Sequence, residues 1–196
     1  IHTENHYKIM KRSRYIIAAT EQGSVNILDS TTLSVLKTWK AHASGINDMD
    51  SQHDFIVTCG YSMRQQHSLM LDPLVNCFDL KNMVTLPPLP FPSGAAYIRM
   101  HPCMCTTCIV VSQHGQIHLI DLMNVNTSNI KQINTLSYLT MIEIASSGEA
   151  MVFADTECSI HLWGSPSRIQ FAELSNPTTF PEDDKSCIKV DWVDDV

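Results

Sequence analysis

One imidazole and three thiols fall within eight consecutive positions near the middle of the chain. His101-Pro102-Cys103-Met104-Cys105-Thr106-Thr107-Cys108 is a donor set that suits tetrahedral zinc. Its spacing is tighter than that of common zinc modules, and Cys108 opens an apolar run, so the segment reads as a turn carrying thiols, with no metal. Two carboxylate pairs come next. Asp155-Thr156-Glu157 and Asp48-Met49-Asp50 have the form that can hold divalent cations for hydrolysis. Such a centre needs further carboxylates and a histidine from elsewhere in the chain. Each pair stands alone here, and both read as ordinary turn acids. No Gly-x-Ser-x-Gly elbow and no phosphate-cradling glycine loop is present. We therefore assign no catalytic, cofactor-binding or metal-binding residue. The expectation is a chain that is not itself an enzyme.

The elements that carry these residues repeat. Gly23-Ser24-Val25-Asn26-Ile27-Leu28-Asp29 returns as Pro73-Leu74-Val75-Asn76-Cys77-Phe78-Asp79 and as Gly115-Gln116-Ile117-His118-Leu119-Ile120-Asp121. A fourth copy reads Cys158-Ser159-Ile160-His161-Leu162-Trp163-Gly164. Asp29, Asp79, Asp121 and Gly164 lie 50, 42 and 43 residues apart. A period of roughly 40–45 residues closing on a Trp-Asp-like pair marks the blades of a WD-repeat propeller. Before each copy lies a short apolar run: Tyr15–Ala19, Phe55–Cys59, Cys108–Val111 and Met151–Ala154. Their unbroken apolarity fits strands covered on both faces, as in a blade held between two neighbours. Further strands are expected at Ile46–Asp50, Ala96–His101 and Thr140–Ala145, with outer strands at Leu33–Trp39 and Ile130–Thr135. Gln22-Gly23, His114-Gly115 and Ser146-Ser147-Gly148 supply turns.

The fold class is thus all-β: a WD-repeat propeller fragment of about three complete four-stranded blades and a partial fourth. Residues 1–164 form the partial propeller. Residues 165–196, with three prolines and seven acidic against three basic side chains, read as an acidic loop or disordered tail. Propellers close with four to eight blades, so this many, left open, should make a poor monomer. Pro73 cannot donate to a ladder, so its strand should begin after it. Leu86-Pro87-Pro88-Leu89-Pro90-Phe91-Pro92 reads as a stiff connector between blades. His42 follows Ala41 where many such repeats carry Gly-His, and His118 and His161 recur with the repeat. All three are read as architecture. Lys11-Arg12-Ser13-Arg14 is a short basic turn. The connection from Tyr61 to Asp72 is about eight residues longer than its counterparts, and Arg64, Gln65, Gln66 and His67 on it are the partner-binding candidates.

Composition excludes several classes. A hydrophobic content of 44% with 17% charged residues describes a folded chain, and a net charge of −7 argues against strong direct nucleic-acid binding. No apolar run reaches the roughly 18–20 residues of a membrane span. The polar first residues do not resemble a secretory leader. Seven cysteines, several inside apolar runs, fit reduced thiols in cytosol or nucleus.

Several segments carry a family resemblance in collinear order. They are His6-Tyr7-Lys8-Ile9-Met10-Lys11, Gly23-Ser24-Val25, Cys59-Gly60-Tyr61-Ser62-Met63-Arg64, Ser112-Gln113-His114-Gly115-Gln116, Ala154-Asp155 and Ile160-His161-Leu162-Trp163, with Val190-Asp191-Trp192 beyond. Together they resemble the amino-terminal propeller of the catalytic subunit of the poly(A)-nuclease deadenylation complex. The resemblance implies a parent protein with a linker that binds a kinase-like adaptor, an inactive ubiquitin-hydrolase-like domain and a carboxy-terminal exonuclease. That parent shortens mRNA poly(A) tails, recruited through poly(A)-binding protein. Only part of the propeller is matched, so no nuclease role passes to any residue here. The chain so implied is a scaffold that needs no cofactor, docks the adaptor and indirectly meets poly(A)-binding protein and mRNA. It would work in the cytoplasm, P-bodies included, or in the nucleus. The competing readings are an unrelated WD-repeat scaffold, such as a ubiquitin-ligase substrate receptor, and a zinc-dependent enzyme.

Overall fold

A computed structural model describes residues 6–63, 68–132 and 137–164. These form antiparallel sheets and, among the described residues, no helix. The tail from 165 and the candidates Arg64, Gln65, Gln66 and His67 lie outside the described residues.

The first blade is β1 (Tyr7–Arg12), β2 (Ile16–Thr20), β3 (Ser24–Leu28) and β4 (Val35–Lys40), paired in chain order. The second holds β5 (Gly45–Gln52), β6 (Phe55–Met63), β7 (Leu69–Leu71), β8 (Leu74–Asp79), β9 (Val84–Thr85) and β10 (Leu89–Pro90). The third is β11 (Tyr97–Met100), β12 (Thr107–Val111), β13 (Gln116–Asp121) and β14 (Asn124–Gln132). The fourth has three described strands, β15 (Leu139–Ile144), β16 (Ala150–Asp155) and β17 (Ile160–Gly164).

The middle strands of the second and third blades each serve two interfaces, which is why their apolar runs do not alternate. In β6, Ile56 faces the core shared with the first blade, while Val57 and Cys59 face the third. In β12, Cys108 and Val110 look back to the second blade, while Ile109 and Val111 meet the fourth. Three such cores hold the blades together. Aromatic pairs fill the first and third, Trp39 with Phe78 at 5.3 Å and Phe153 with Trp163 at 5.9 Å between ring centres. The thiols of Cys59, Cys77 and Cys108 are buried here, and burial pushes their pKa values up, that of Cys77 to about 12. They pack as small apolar groups.

The recurrent aspartate of the repeat ends the third strand of each full blade and caps the turn that follows. Asp29 Oδ1 accepts the N–H groups of Thr31 and Thr32 at 2.9 and 2.7 Å, Asp79 that of Lys81 at 2.7 Å, and Asp121 that of Met123 at 3.0 Å. These are Asx turns. Gly23 has φ of 86°, and a Cβ there would collide with the His42 carbonyl, so this turn needs glycine twice over.

Four expectations need correcting. Lys11 and Arg12 close a strand, β1, and do not form a turn. Such a strand escapes a search for apolar runs because polar and cationic residues interrupt it, Lys11 lying 3.2 Å from Asp50. The Leu86–Pro92 connector is part of the second blade's outer edge. Leu89 and Pro90 pair with Val75 and Leu74, and the prolines merely break this strand into β9 and β10. The third blade's outer strand starts six residues before Ile130, at Asn124, and the expected stretch from 133 to 135 lies outside the described residues. Finally, the long second-blade connection is a ribbon: β6 continues to Met63, and β7 pairs back along it. As expected, β8 begins after Pro73, at Leu74.

Candidate functional site

Two polar constellations sit where the blades meet, and both use their polarity structurally. The first is His42, buried at the base of the ribbon. Its Nδ1 lies 3.1 Å from Asp72 Oδ2 and its Nε2 3.1 Å from Thr58 Oγ1. A carboxylate only accepts, so the Nδ1 proton points at Asp72. Hydroxyl, imidazole and carboxylate stand in the order of a nucleophilic triad. Yet Thr58 is fully buried, and a Cβ at Gly60 would stand 2.6 Å from the imidazole, so no substrate reaches the hydroxyl. The network anchors the ribbon to its blade, as the Gly-His analogy suggested.

The second is a ladder between inner strands. β1, β5, β11 and β15 lie side by side. The edge of β11 facing β5 has free backbone groups, and β5 side chains take them up in sequence. Asn47 Nδ2 donates to the Ala96 carbonyl at 2.6 Å, and Gln52 Nε2 donates to that of Pro102 at 2.7 Å. Between them, Ile98 N–H donates to Asp48 Oδ2 at 3.1 Å and Met100 N–H to Asp50 Oδ2 at 2.8 Å. Charges extend the ladder. Arg99 lies 2.6 Å from Asp48 and 3.2 Å from Glu143, and Lys11 3.2 Å from Asp50. Burial alone would lower the Arg99 pKa, but the carboxylates of Asp48 and Glu143 outweigh it and hold it above the ordinary value. Asp48 and Asp50 therefore lie in β5, in keeping with the strand expected at Ile46–Asp50, and the reading of them as turn acids is corrected. Asp-x-Asp in a strand was the available signal, since residues two apart share one face.

The remaining sequence candidates also have local partners. Asp155 closes β16, which corrects its reading as a turn acid; its Oδ1 accepts the N–H groups of Glu157 and Ser159 in the turn that follows, each at 2.9 Å, and its Oδ2 lies 2.8 Å from His161 Nε2. The His161 hydrogen bond leads in pulling its pKa down to about 2. Both carboxylate oxygens are engaged locally. His101 Nδ1 accepts from the backbone N–H groups of Cys103 and Met104 at 3.2 and 3.1 Å, and the Cys103 thiol donates to the Ser147 carbonyl at 3.2 Å. This segment seats the third blade's turn on the Ser146–Gly148 turn of the fourth. Among the described residues no three His, Cys, Asp or Glu side chains are placed to share a metal ion. His118 lies edge-on to Phe91 at 4.7 Å, and burial lowers its pKa.

Sequence reasoning missed a cleft of about 680 Å³ beside the ribbon. Leu69 to Leu71 of β7 form one wall, Thr140 and Met141 of β15 the other, and Tyr97 and Arg99 lie between. Burial raises the Tyr61 and Tyr97 pKa values, so both phenols stay protonated as donors, to Asn47 Oδ1 at 2.6 Å and to the Leu139 carbonyl at 2.9 Å. The cleft gathers residues from three blades, and no single segment announces it.

With this geometry in hand, the chain can be placed among known proteins. The sequence model of the PAN2 N-terminal family matches residues 2–164. The PAN2-PAN3 deadenylation complex catalytic subunit PAN2 of Chaetomium thermophilum is 53% identical over 194 residues, covering 98% of this chain and 17% of that protein. Its counterpart in Coccidioides immitis is 51% identical over 193 residues, covering 98% and 16%. Among solved structures, the Neurospora crassa Pan2 WD40 domain superposes with a TM-score of 0.82 at 46% identity, over 88% of this chain and 54% of that one. The Cps50 (Swd1) β-propeller of Myceliophteria thermophila, at 14% identity and a TM-score of 0.68 over 85% and 55%, shares the fold alone. The chain spans about a sixth of the length of the curated relatives it matches. A family match over most of the sequence excludes an unrelated WD-repeat scaffold, and the chain belongs to the PAN2 N-terminal family as part of its WD40 propeller.

Proposed function

We propose that this chain is a non-catalytic docking scaffold of a poly(A)-specific deadenylase subunit, serving mRNA poly(A)-tail shortening. The observation that carries the proposal is the extent of the match. Relatives named as the catalytic subunit of a deadenylation complex align with the chain over 98% of its length, yet only 17% of their own length is used. The structure supports a scaffold in a further respect. The polar groups that tempted a catalytic reading at His42, Asp48 and Asp155 are all engaged in holding turns and blades. In this reading the propeller helps seat a PAN3-type, kinase-like adaptor and, through it, the poly(A) ribonucleoprotein with its binding protein, in the cytoplasm and P-bodies. The nuclease acts from elsewhere in the parent subunit.

The test is co-purification of the parent subunit with its adaptor, with and without residues 1–164, beside a poly(A) degradation assay on the chain alone in magnesium. Loss of adaptor or ribonucleoprotein association on removing the propeller is expected, as is intact poly(A) in the assay. Unchanged association, or poly(A) shortening by the isolated chain, would overturn the proposal.

A further inference from the structure

The cleft beside the ribbon has a free strand edge as one wall. Among the described residues β7 pairs with β6 alone. The Asp72 N–H donates to the Gly60 carbonyl at 2.8 Å, and Tyr61 faces Leu71 while Met63 faces Leu69. The alternation of an antiparallel ladder then turns the backbone groups of Leu69 and Leu71 away from β6. Gly94 closes against Leu71, which leaves Leu69 as the open rung. The rims are apolar and exposed, Leu69 at 61% and Met141 at 52%. A free edge with apolar rims is the geometry that takes an added peptide strand.

Charge selects the kind of strand. Asp48 and Glu143 share the single guanidinium of Arg99, which also donates to the Ile98 carbonyl at 2.7 Å. The trio keeps one net negative charge, and Glu143 remains 62% exposed. A phosphate chain finds no uncommitted cation among the residues lining the cleft, whereas a basic side chain finds Asp48 in the lining and, at its border, the exposed Glu143 that pairs with the lining residue Arg99.

We propose that this cleft binds an extended segment of a partner protein that carries a lysine or arginine flanked by apolar side chains. The segment adds as a strand at the open rung of β7. Its basic side chain meets Glu143, and its apolar side chains rest on Leu69 and Met141. The proposal rests on the reading of the chain as a docking scaffold and deepens it.

A random dodecapeptide phage library panned on the full chain tests this directly, without adaptor or nuclease, so its failure is separate from failure of the adaptor assay. Winning peptides, remade with a fluorophore, are titrated by polarisation against the chain and its variants, with a twenty-nucleotide oligoadenylate as competitor. The expected winners carry lysine or arginine among apolar residues. Glu143→Gln should weaken them about tenfold. Leu69→Pro removes the open N–H but no rung shared with β6, and should weaken them at least as much. Ile160→Ser, on the far face of the fourth blade, should leave binding unchanged, and circular dichroism should show the folded spectrum in all variants. Glu143→Lys should further reverse the preference towards acidic peptides. Absence of winners, winners lacking a basic residue, affinities indifferent to both Glu143→Gln and Leu69→Pro, or displacement by oligoadenylate would each overturn the proposal.

Discussion

At the scale of single residues, two local conformations have measurable consequences. His53 closes the β5–β6 turn with φ of 52° and an exposed side chain. A non-glycine residue in that region stores roughly 1–3 kcal/mol, while glycine loses about 0.5–1 kcal/mol through its freer unfolded chain. His53→Gly should therefore stabilise by about 1 kcal/mol, seen as a higher thermal midpoint. Asp155 gives a pH signature. Its folded pKa of about 2 lies below the ordinary carboxylate value, so its contribution is complete above roughly pH 4 and is lost as pH falls towards 2. The gap in melting temperature between the native chain and Asp155→Asn should be constant near neutrality and close across that acid window. A gap that instead opened above pH 6 would remove Asp155 as its source.

At the scale of elements, the strands buried on both faces and the cross-blade ladder call for separate predictions. Val110 is fully buried between the second and third blades, and Val110→Asp should cost several kcal/mol, on the order of a buried unpaired charge. Asp48→Ala leaves the buried Ile98 N–H without its acceptor and Arg99 with Glu143 as its one carboxylate, and should cost about 2–3 kcal/mol, read from urea denaturation. These two elements also mark how far the sequence could be read. A strand between two neighbouring blades must be apolar at every position because both its faces are covered, so β6 and β12 stand out as unbroken runs. An inner strand meets charged and polar partners from its neighbours, so the polar residues of β1 hide it. Asp48 is legible as an acid in a strand, but its partner lies fifty residues away, beyond any local pattern. Proline hid β10 for a chemical reason, since it blocks a ladder donor yet is tolerated on an edge. The cleft was illegible because Leu69, Arg99 and Met141 come from three different blades, and only the fold brings them together.

At the scale of the whole molecule, the fourth blade leaves one face uncovered among the described residues. Ile160 and Leu162 of β17 are exposed, Ile160 at 76%. A longer chain that carries further blades should bury apolar side chains such as these, bind less of a hydrophobic dye such as ANS, and melt more cooperatively than residues 1–196. A sharply melting, dye-free monomer of the short chain would contradict this. The ladder between β5 and β11 has one more consequence, for the order of events as the chain is made. Each of the first three sheets closes within about one repeat, so such a blade can form as soon as it leaves the ribosome. The carboxylates of Asp48 and Asp50 must wait for Ile98 and Met100, fifty residues later. At roughly 5–20 residues per second, that wait lasts several seconds. During it the second blade offers the polar edge of β5 to water and its apolar flank to whatever is near. A molecular chaperone that favours exposed strand faces would find its binding window there, opening with each finished blade and shutting when the next one docks.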